Sequence, residues 1–294
     1  MGQMPLYRFE GKEPSPTRDG HLGLWFDKFF DGWRVAQTRD GQCYWTTQAS
    51  RNVNPKSHWL EKFFVNRLEV GRKDLLQEAV DRLVRLVEAY SGRWGVFQTE
   101  SRFVTGLGRT HPIENGFAWH PTLGVPYLPG SSIKGMVRAW TRTVGVDQER
   151  VTELFGPDGA EKRGVSKGQG SVVFLDAIPC SAPKLALDVM TPHYANWQVN
   201  DPPGDWRSPT PIVFLTTAPR TRFLFGIIPS RYNADAQLDQ VMEWLKEALY
   251  WAGAGAKTAV GYGRMQPDPS ADREVRRRME RIVGVSGAGS RQPR

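Results

Sequence analysis

Two cysteines in 294 residues, Cys43 and Cys180, are too few and too far apart for a disulfide framework or a thiolate zinc site. They read as two thiols in a reducing compartment. Long apolar runs are also missing. No stretch approaches the ~20 residues that cross a bilayer, and the N-terminus lacks a signal-peptide core, so a soluble, cytoplasmic protein is expected. Acidic residues are in deficit: 39 Lys plus Arg stand against 31 Asp plus Glu, for a net charge of +8 and a pI near 9.6. That balance favours a polyanionic partner. Aromatics are plentiful, with eleven tryptophans and fourteen phenylalanines. Most belong in a core, and some are candidates for stacking on bases or filling sockets on partners. The length suffices for one large domain or two small ones.

Residues 1–60 are rich in Gly, Pro, Asp, Arg and Trp without sustained periodicity, apart from an apolar cluster from Leu22 to Phe30 that could dock on the main domain or on a neighbouring subunit. From Ser57 to Tyr90 the pattern turns helical. Leu75, Ala79, Leu83 and Leu86 form one stripe, with Leu76, Val80, Val84 and Val87 beside it. Strand-like runs follow at Gly95–Phe103, Ser171–Ala177, Pro211–Thr217 and Arg222–Ile228. Between them lie helical stretches at Ser132–Val144 and Ala234–Ala252. Strands mixed with a few helices, without regular alternation, predict an α+β fold with an antiparallel sheet. Gly156–Gly170 and Asn196–Pro209 read as loop insertions. After Pro269, Asp272–Val283 is a short basic helix candidate followed by a Gly/Ser/Arg tail.

Two glycine-bearing basic loops stand out. Pro129-Gly130-Ser131-Ser132-Ile133-Lys134-Gly135-Met136-Val137-Arg138 precedes an apolar-periodic stretch, so it should open a helix and aim free N–H groups at an anion. Gly253-Ala254-Gly255-Ala256-Lys257-Thr258-Ala259-Val260-Gly261-Tyr262-Gly263 follows a helix and leads into Tyr262–Met265, which reads as a short strand. Neither is a nucleotide-binding P-loop. Ala256 separates Gly255 from Lys257, and Thr258 stands where a dinucleotide fingerprint needs its third glycine. Phosphate contact fits these loops, and NTP hydrolysis does not.

The second loop resembles the C-terminal glycine-rich signature of the RAMP superfamily, the RNA-binding proteins of CRISPR effector complexes. Glu114-Asn115-Gly116-Phe117 and His120 through Gly135, then Phe174–Pro179 and Leu187–Tyr194, closely resemble one lineage of it, subunit six of the type III-B Cmr complex. The resemblance spans roughly residues 94–266. It implies a ferredoxin-like, RRM-related core with an antiparallel sheet and long insertions. The chain then divides into an N-terminal extension (1–92) with an amphipathic helix on the core, a RAMP core (93–268), and a basic, disordered tail (269–294). It further implies antiviral defence and a non-catalytic subunit toward the 3′ end of the CRISPR RNA. The implied partners are that guide, the target RNA, the repeated backbone subunit and the subunit closing the guide 3′ end. Backbone members of the family carry a projecting β-hairpin, or thumb; no insertion here is singled out as one.

Candidate RNA-binding residues follow from charge, hydroxyls and bare backbone: Gly130, Ser131, Ser132, Lys134 and Arg138 in the first loop, and Gly255, Lys257, Thr258, Gly261, Tyr262 and Gly263 in the second. Lys134 and Arg138 share a helix face. Lys257 supplies charge, Thr258 a hydroxyl and Tyr262 a ring for stacking. Each position has a plain structural alternative: a capped helix start for the first loop, a tight helix-to-strand connection for the second. A ribonuclease would need a general base and acid, and His193, beside Tyr194 and five residues after Asp188, is the candidate. His111, Glu114 and His120 match no familiar metal spacing, and neither metal nor cofactor is expected. The rivals are thus a guide-processing endoribonuclease of the same fold and a purely structural assembly adaptor.

Overall fold

A computed structural model describes residues 20–47, 54–64, 69–157, 168–191, 211–230 and 235–288. The elements are α1 (Leu22–Lys28), β1 (Arg34–Gln37), β2 (Cys43–Thr46), α2 (Pro55–Phe64), α3 (Lys73–Ala89), β3 (Arg93–Thr99), α4 (Gly130–Thr143), α5 (Gln148–Phe155), β4 (Val172–Phe174), β5 (Ile178–Pro179), β6 (Leu185–Met190), β7 (Ile212–Thr217), β8 (Arg222–Pro229), α6 (Asp235–Trp251), β9 (Met265–Pro267) and α7 (Pro269–Ala288). The central sheet runs β4-β8-β3-β9, every pairing antiparallel, with β5 adding to β8 further along the same edge. Two antiparallel strand pairs, β1–β2 and β6–β7, form separate two-stranded sheets.

Both faces of this sheet are roofed, which is why its strands read as nearly unbroken apolar runs rather than alternating ones. Phe97, Phe223, Phe225 and Ile227 turn toward α4, α5 and α6, joining Ile133, Val137, Leu154, Val241 and Leu245. Trp94, Val96 and Leu224 turn the other way, toward α3 and α7. Full burial of each such side chain contributes about 1.5–3 kcal/mol. In α3 the stripe that packs is Leu76, Ala79, Val80, Val84 and Val87; Leu75 and Leu86 remain 37% and 41% exposed. The helix therefore sits one residue round from the first of the two predicted stripes.

The long helical run predicted over 57–90 is two helices, α2 and α3, with Gly71 at a φ of +88° just ahead of the second. The apolar cluster at 22–30 is α1, docked on the chain's own core: Phe26 packs against Trp59, Trp119 and His111. Its start is capped by His21, whose Nδ1 accepts the Leu24 N–H at 2.8 Å. The segment expected as a tail is α7 as far as Ala288, longer than the helix predicted at 272–283. Ala271, Val275 and Met279 are buried against the sheet, and Asp272 accepts the Val96 N–H at 2.7 Å. A basic run is compatible with packing because these three apolar residues recur every fourth position. The two predicted loop insertions lie mostly outside the described residues, as do His193 and Tyr194. Among the described residues no helix is long and apolar enough to cross a membrane.

Candidate nucleic-acid interface

Helix α4 begins at Gly130, with Pro129 in extended conformation as its cap residue. The N–H groups of Ser132 and Ile133 both return to the Pro129 carbonyl, at 2.9 and 3.1 Å. The first N–H is not bare either. The edge of the sheet is interrupted between β4 and β5, and this break projects Asp176, whose carboxylate accepts the Gly130 N–H at 2.7 Å. A side-chain carboxylate thus occupies the place predicted for a ligand anion. Gly130 is required by packing, since a Cβ there would stand 2.2 Å from the Phe174 carbonyl oxygen. Ser131, Ser132 and Gly135 are exposed, while Ile133 and Val137 point into the core. Lys134 is half-buried; desolvation, and then repulsion from Arg138, lower its pKa.

The second loop is closed largely by its own backbone. Ala254 donates to the Gly263 carbonyl, Gly263 to Arg102, Ala256 to Val104, and Tyr262 to Lys257. Positive φ values at Gly253, Gly255, Lys257, Gly261 and Gly263 make this path possible. They also forbid a strand at Tyr262, so the strand expected from that residue starts only at Met265. Gly255 and Gly263 are contact positions: a Cβ would lie 2.2 Å from the Val104 carbonyl oxygen and 1.9 Å from that of Ala254. Gly261 differs, with open space where its Cβ would be.

Tyr262 does not present its ring for stacking. Its hydroxyl donates to Asp188 Oδ2 at 2.5 Å, its ring lies 6.1 Å from that of Phe214, and Arg102 pairs with the same carboxylate. Burial, then the bond to Asp188, push the Tyr262 phenol up to about 12. Burial alone would raise the Asp188 carboxyl, but the bonds from Tyr262 and Arg102 outweigh it and hold it below the usual range. Lys257 Nζ sits 5.5 Å from the centre of the Phe214 ring.

The two loops, over a hundred residues apart in sequence, converge. A groove of about 540 Å³ is lined by Ser132, Met136, Ala139, Trp140 and Thr143 of α4, and by Ala252, Gly253, Gly255, Ala256 and Thr258 of the second loop. Leu128 and a third stretch, Thr105-Gly106-Leu107-Gly108, complete it. Of the predicted residues, Ser132, Gly255 and Thr258 line the groove. Gly130, Ser131, Lys134, Arg138, Lys257, Gly261, Tyr262 and Gly263 do not. Sequence reading missed the Gly106–Gly108 stretch, although its two glycines ahead of Arg109 repeat the composition of the other two loops. It also missed Asp176 and the Asp188–Arg102 pair, whose acids sit inside strand-like motifs.

Several other motif residues among those described serve the fold. His120 Nδ1 accepts the N–H groups of Thr122 and Leu123, Phe117 is fully buried, and Glu114 pairs with Lys56. His111 is buried, its Nε2 2.9 Å from the Phe26 carbonyl; desolvation lowers its pKa.

Comparison with known proteins places this arrangement. Residues 96–266 match the family model of the RAMP superfamily. A protein of Pyrococcus furiosus named CRISPR system Cmr subunit Cmr6 is 32% identical over 230 residues, 58% of this chain and 66% of that protein. A Saccharolobus solfataricus protein of the same name is 28% identical over 216 residues, 72% of this chain and 66% of the relative. The chain thus spans just under two thirds of the length of each relative. Among solved structures, a chain of a type III-B Cmr-beta complex bound to cognate target RNA shares the fold, with a TM-score of 0.57 and 24% identity over 72% of this chain and 71% of its own. The family match covers more than half of the residues, including both glycine loops and the sheet between them, and the chain belongs to the RAMP superfamily.

Proposed function

We propose that this chain is a non-catalytic RNA-binding subunit of a type III-B Cmr effector complex, holding the CRISPR RNA toward its 3′ end beside the repeated backbone subunit. The observation that carries the reading is the convergence of two distant glycine loops on one groove, with hydroxyls of Ser132, Thr143 and Thr258 along it and an excess of positive charge over the whole chain. The names of the two relatives supply the complex. Contacts of this kind read phosphate and sugar rather than base edges, so sequence choice would rest on guide–target pairing. The core that presents the groove is, in this reading, ferredoxin-like. β3-α4-β4-β8-α6-β9 runs strand–helix–strand–strand–helix–strand, and the sheet order β4-β8-β3-β9 is that of the fold, with α5 and β5 to β7 inserted.

Three of the four described histidines are held in structural bonds, which supports a non-catalytic role; the fourth, His58, is exposed on α2. His21 caps α1 and contacts the Pro121 carbonyl, His111 meets the Phe26 carbonyl, and His120 holds its own turn. The test is crosslinking mass spectrometry of the co-purified complex. RNA adducts are expected within 105–108, 129–143 and 252–263. Adducts confined to the region around His193, together with loss of guide cleavage in His193→Ala, would replace the reading with the nuclease. Partner subunits copurifying without any RNA adduct would replace it with the adaptor.

A further inference from the structure

Helix α7 lies beyond the residues that carry the family match, and its surface has a chemistry of its own. Two of its arginines fix it to the body: Arg278 donates to Asp81, and Arg276 lies 4.3 Å from the centre of the Trp94 ring. Three more are left over. Arg273, Arg277 and Arg281 recur every fourth residue and are exposed, and among the described residues none forms an ion pair with a carboxylate. The helical rise spaces them about 6 Å apart in one row.

At the foot of this row a groove of about 500 Å³ opens between the start of α7 and the sheet. Its floor is Arg222, Gln98 and Gln266, direct cross-strand neighbours on β8, β3 and β9. They point to the α7 side because Phe223, Phe97 and Met265, next to them in sequence, turn into the opposite core. Asp268, the acid of the groove, is already satisfied: Oδ2 takes Arg222 at 2.8 Å, and Oδ1 accepts the N–H groups of Ser270 and Ala271. Apart from Pro267 and Pro269, every lining residue is polar or charged.

The geometry points to a second track for single-stranded RNA, with successive phosphates on Arg273, Arg277 and Arg281 and a base in the groove against Gln98 and Gln266. Guanidinium groups pair with phosphate through two parallel hydrogen bonds, and a carboxamide both donates and accepts, as a base edge requires. The regular single-file spacing and the nucleotide-sized polar groove favour a nucleic-acid strand over an acidic protein surface. The track lies on the opposite side of the sheet from α4 and its groove. It depends on the reading of the chain as an RNA-binding subunit for the identity of its ligand.

The test is fluorescence anisotropy of a labelled single-stranded RNA oligonucleotide with the full chain across a salt series. Wild type is compared with R273Q/R277Q/R281Q, with Q98A and with K134Q/K257Q, each checked for an unchanged melting temperature. The triple variant should flatten the slope of log affinity against log salt by about 2, at about 0.7 per phosphate released. Q98A should weaken binding with the slope unchanged. Unchanged affinity and slope in the triple variant overturns the track, while an effect of K134Q/K257Q in the same series leaves the proposed function standing. The reverse pattern keeps the track and removes Lys134 and Lys257 as RNA contacts. Loss of partner subunits from the triple variant at an unchanged RNA slope assigns the row to an acidic protein surface and overturns it. No binding by wild type at low salt overturns both.

Discussion

The glycines of the second loop separate two reasons for being glycine, and alanine substitutions measure them. Gly261 and Gly263 are two residues apart, both in the left-handed region, with φ of 93° and 72°. At Gly261 an added Cβ meets nothing within 4 Å, so alanine adds only the left-handed strain, about 1–2 kcal/mol. At Gly263 the Cβ would stand 1.9 Å from the carbonyl oxygen of Ala254, the residue whose N–H closes the loop by donating to the Gly263 carbonyl. Relieving that overlap moves backbone and adds about 1–3 kcal/mol, for a total of about 2–5 kcal/mol. Gly255, whose Cβ would lie 2.2 Å from the Val104 carbonyl oxygen, should behave like Gly263. Thermal unfolding of the full chain reads this directly, at about 2–4 °C for each kcal/mol. Equal losses at Gly261 and Gly263, or a neutral Gly263→Ala, would refute the account of the loop as closed by backbone packing. The same variants carry a functional reading. A Gly261→Ala protein that keeps its melting temperature within the strain expected but loses RNA affinity assigns the open space beside Gly261 to the ligand.

Tyr262→Phe removes a hydrogen bond to a charged partner and should cost about 1.5–3 kcal/mol in urea unfolding at neutral pH. The raised Tyr262 phenol gives its linkage a sign: the contribution is complete below the ordinary value near 10 and is lost as pH rises through about 12. The stability difference between wild type and Tyr262→Phe should therefore shrink in that alkaline window. Burial pushes the Cys180 thiol up to about 12, so iodoacetamide at pH 8 should leave Cys180 unmodified in the native chain and label it only after denaturation, as peptide mapping would show. Asp176→Ala removes the acceptor at the start of α4 and should cost about 1 kcal/mol, and the loss should disappear in a background where Gly130 no longer begins a helix.

What the sequence made legible was what a short-range pattern can encode. The 3.6-residue period placed α4 and α6 within two residues of their observed starts and ends, and apolar runs placed β7 and β8 within one. Register on a helix surface was harder where apolar residues lie on two adjacent stripes, as in α3, because only the facing sheet decides which stripe is buried. In α7 five arginines masked Ala271, Val275 and Met279, although their spacing was already that of a packed face. The glycine loops were found as loops, but the fate of their N–H groups was not. Asp176 and the carbonyls of Arg102 and Val104, which take those groups up, are distant in sequence and carry no local signal. The convergence of the loops is likewise a property of topology: β3 and β8 must pair before residues 105–108, 130–143 and 252–258 can meet.

The roofing of both sheet faces has a consequence for any ligand. An open four-stranded sheet can stack bases on its exposed aromatics. Here the strand aromatics are spent on packing: Phe97, Phe223 and Phe225 lie under α4 and α6, and Trp94 lies under α7 with Arg276 across its ring. The helices that close the second face, α3 and α7, both come from outside the family-matched residues. With both helices in place, the flat face is closed to a ligand. That leaves the rims, where the glycine loops meet α4 on one side and where Gln98, Arg222 and Gln266 emerge beside α7 on the other. A strand held at either rim lies against backbone and polar side chains rather than against stacked rings. That arrangement suits the RNA-binding role proposed above.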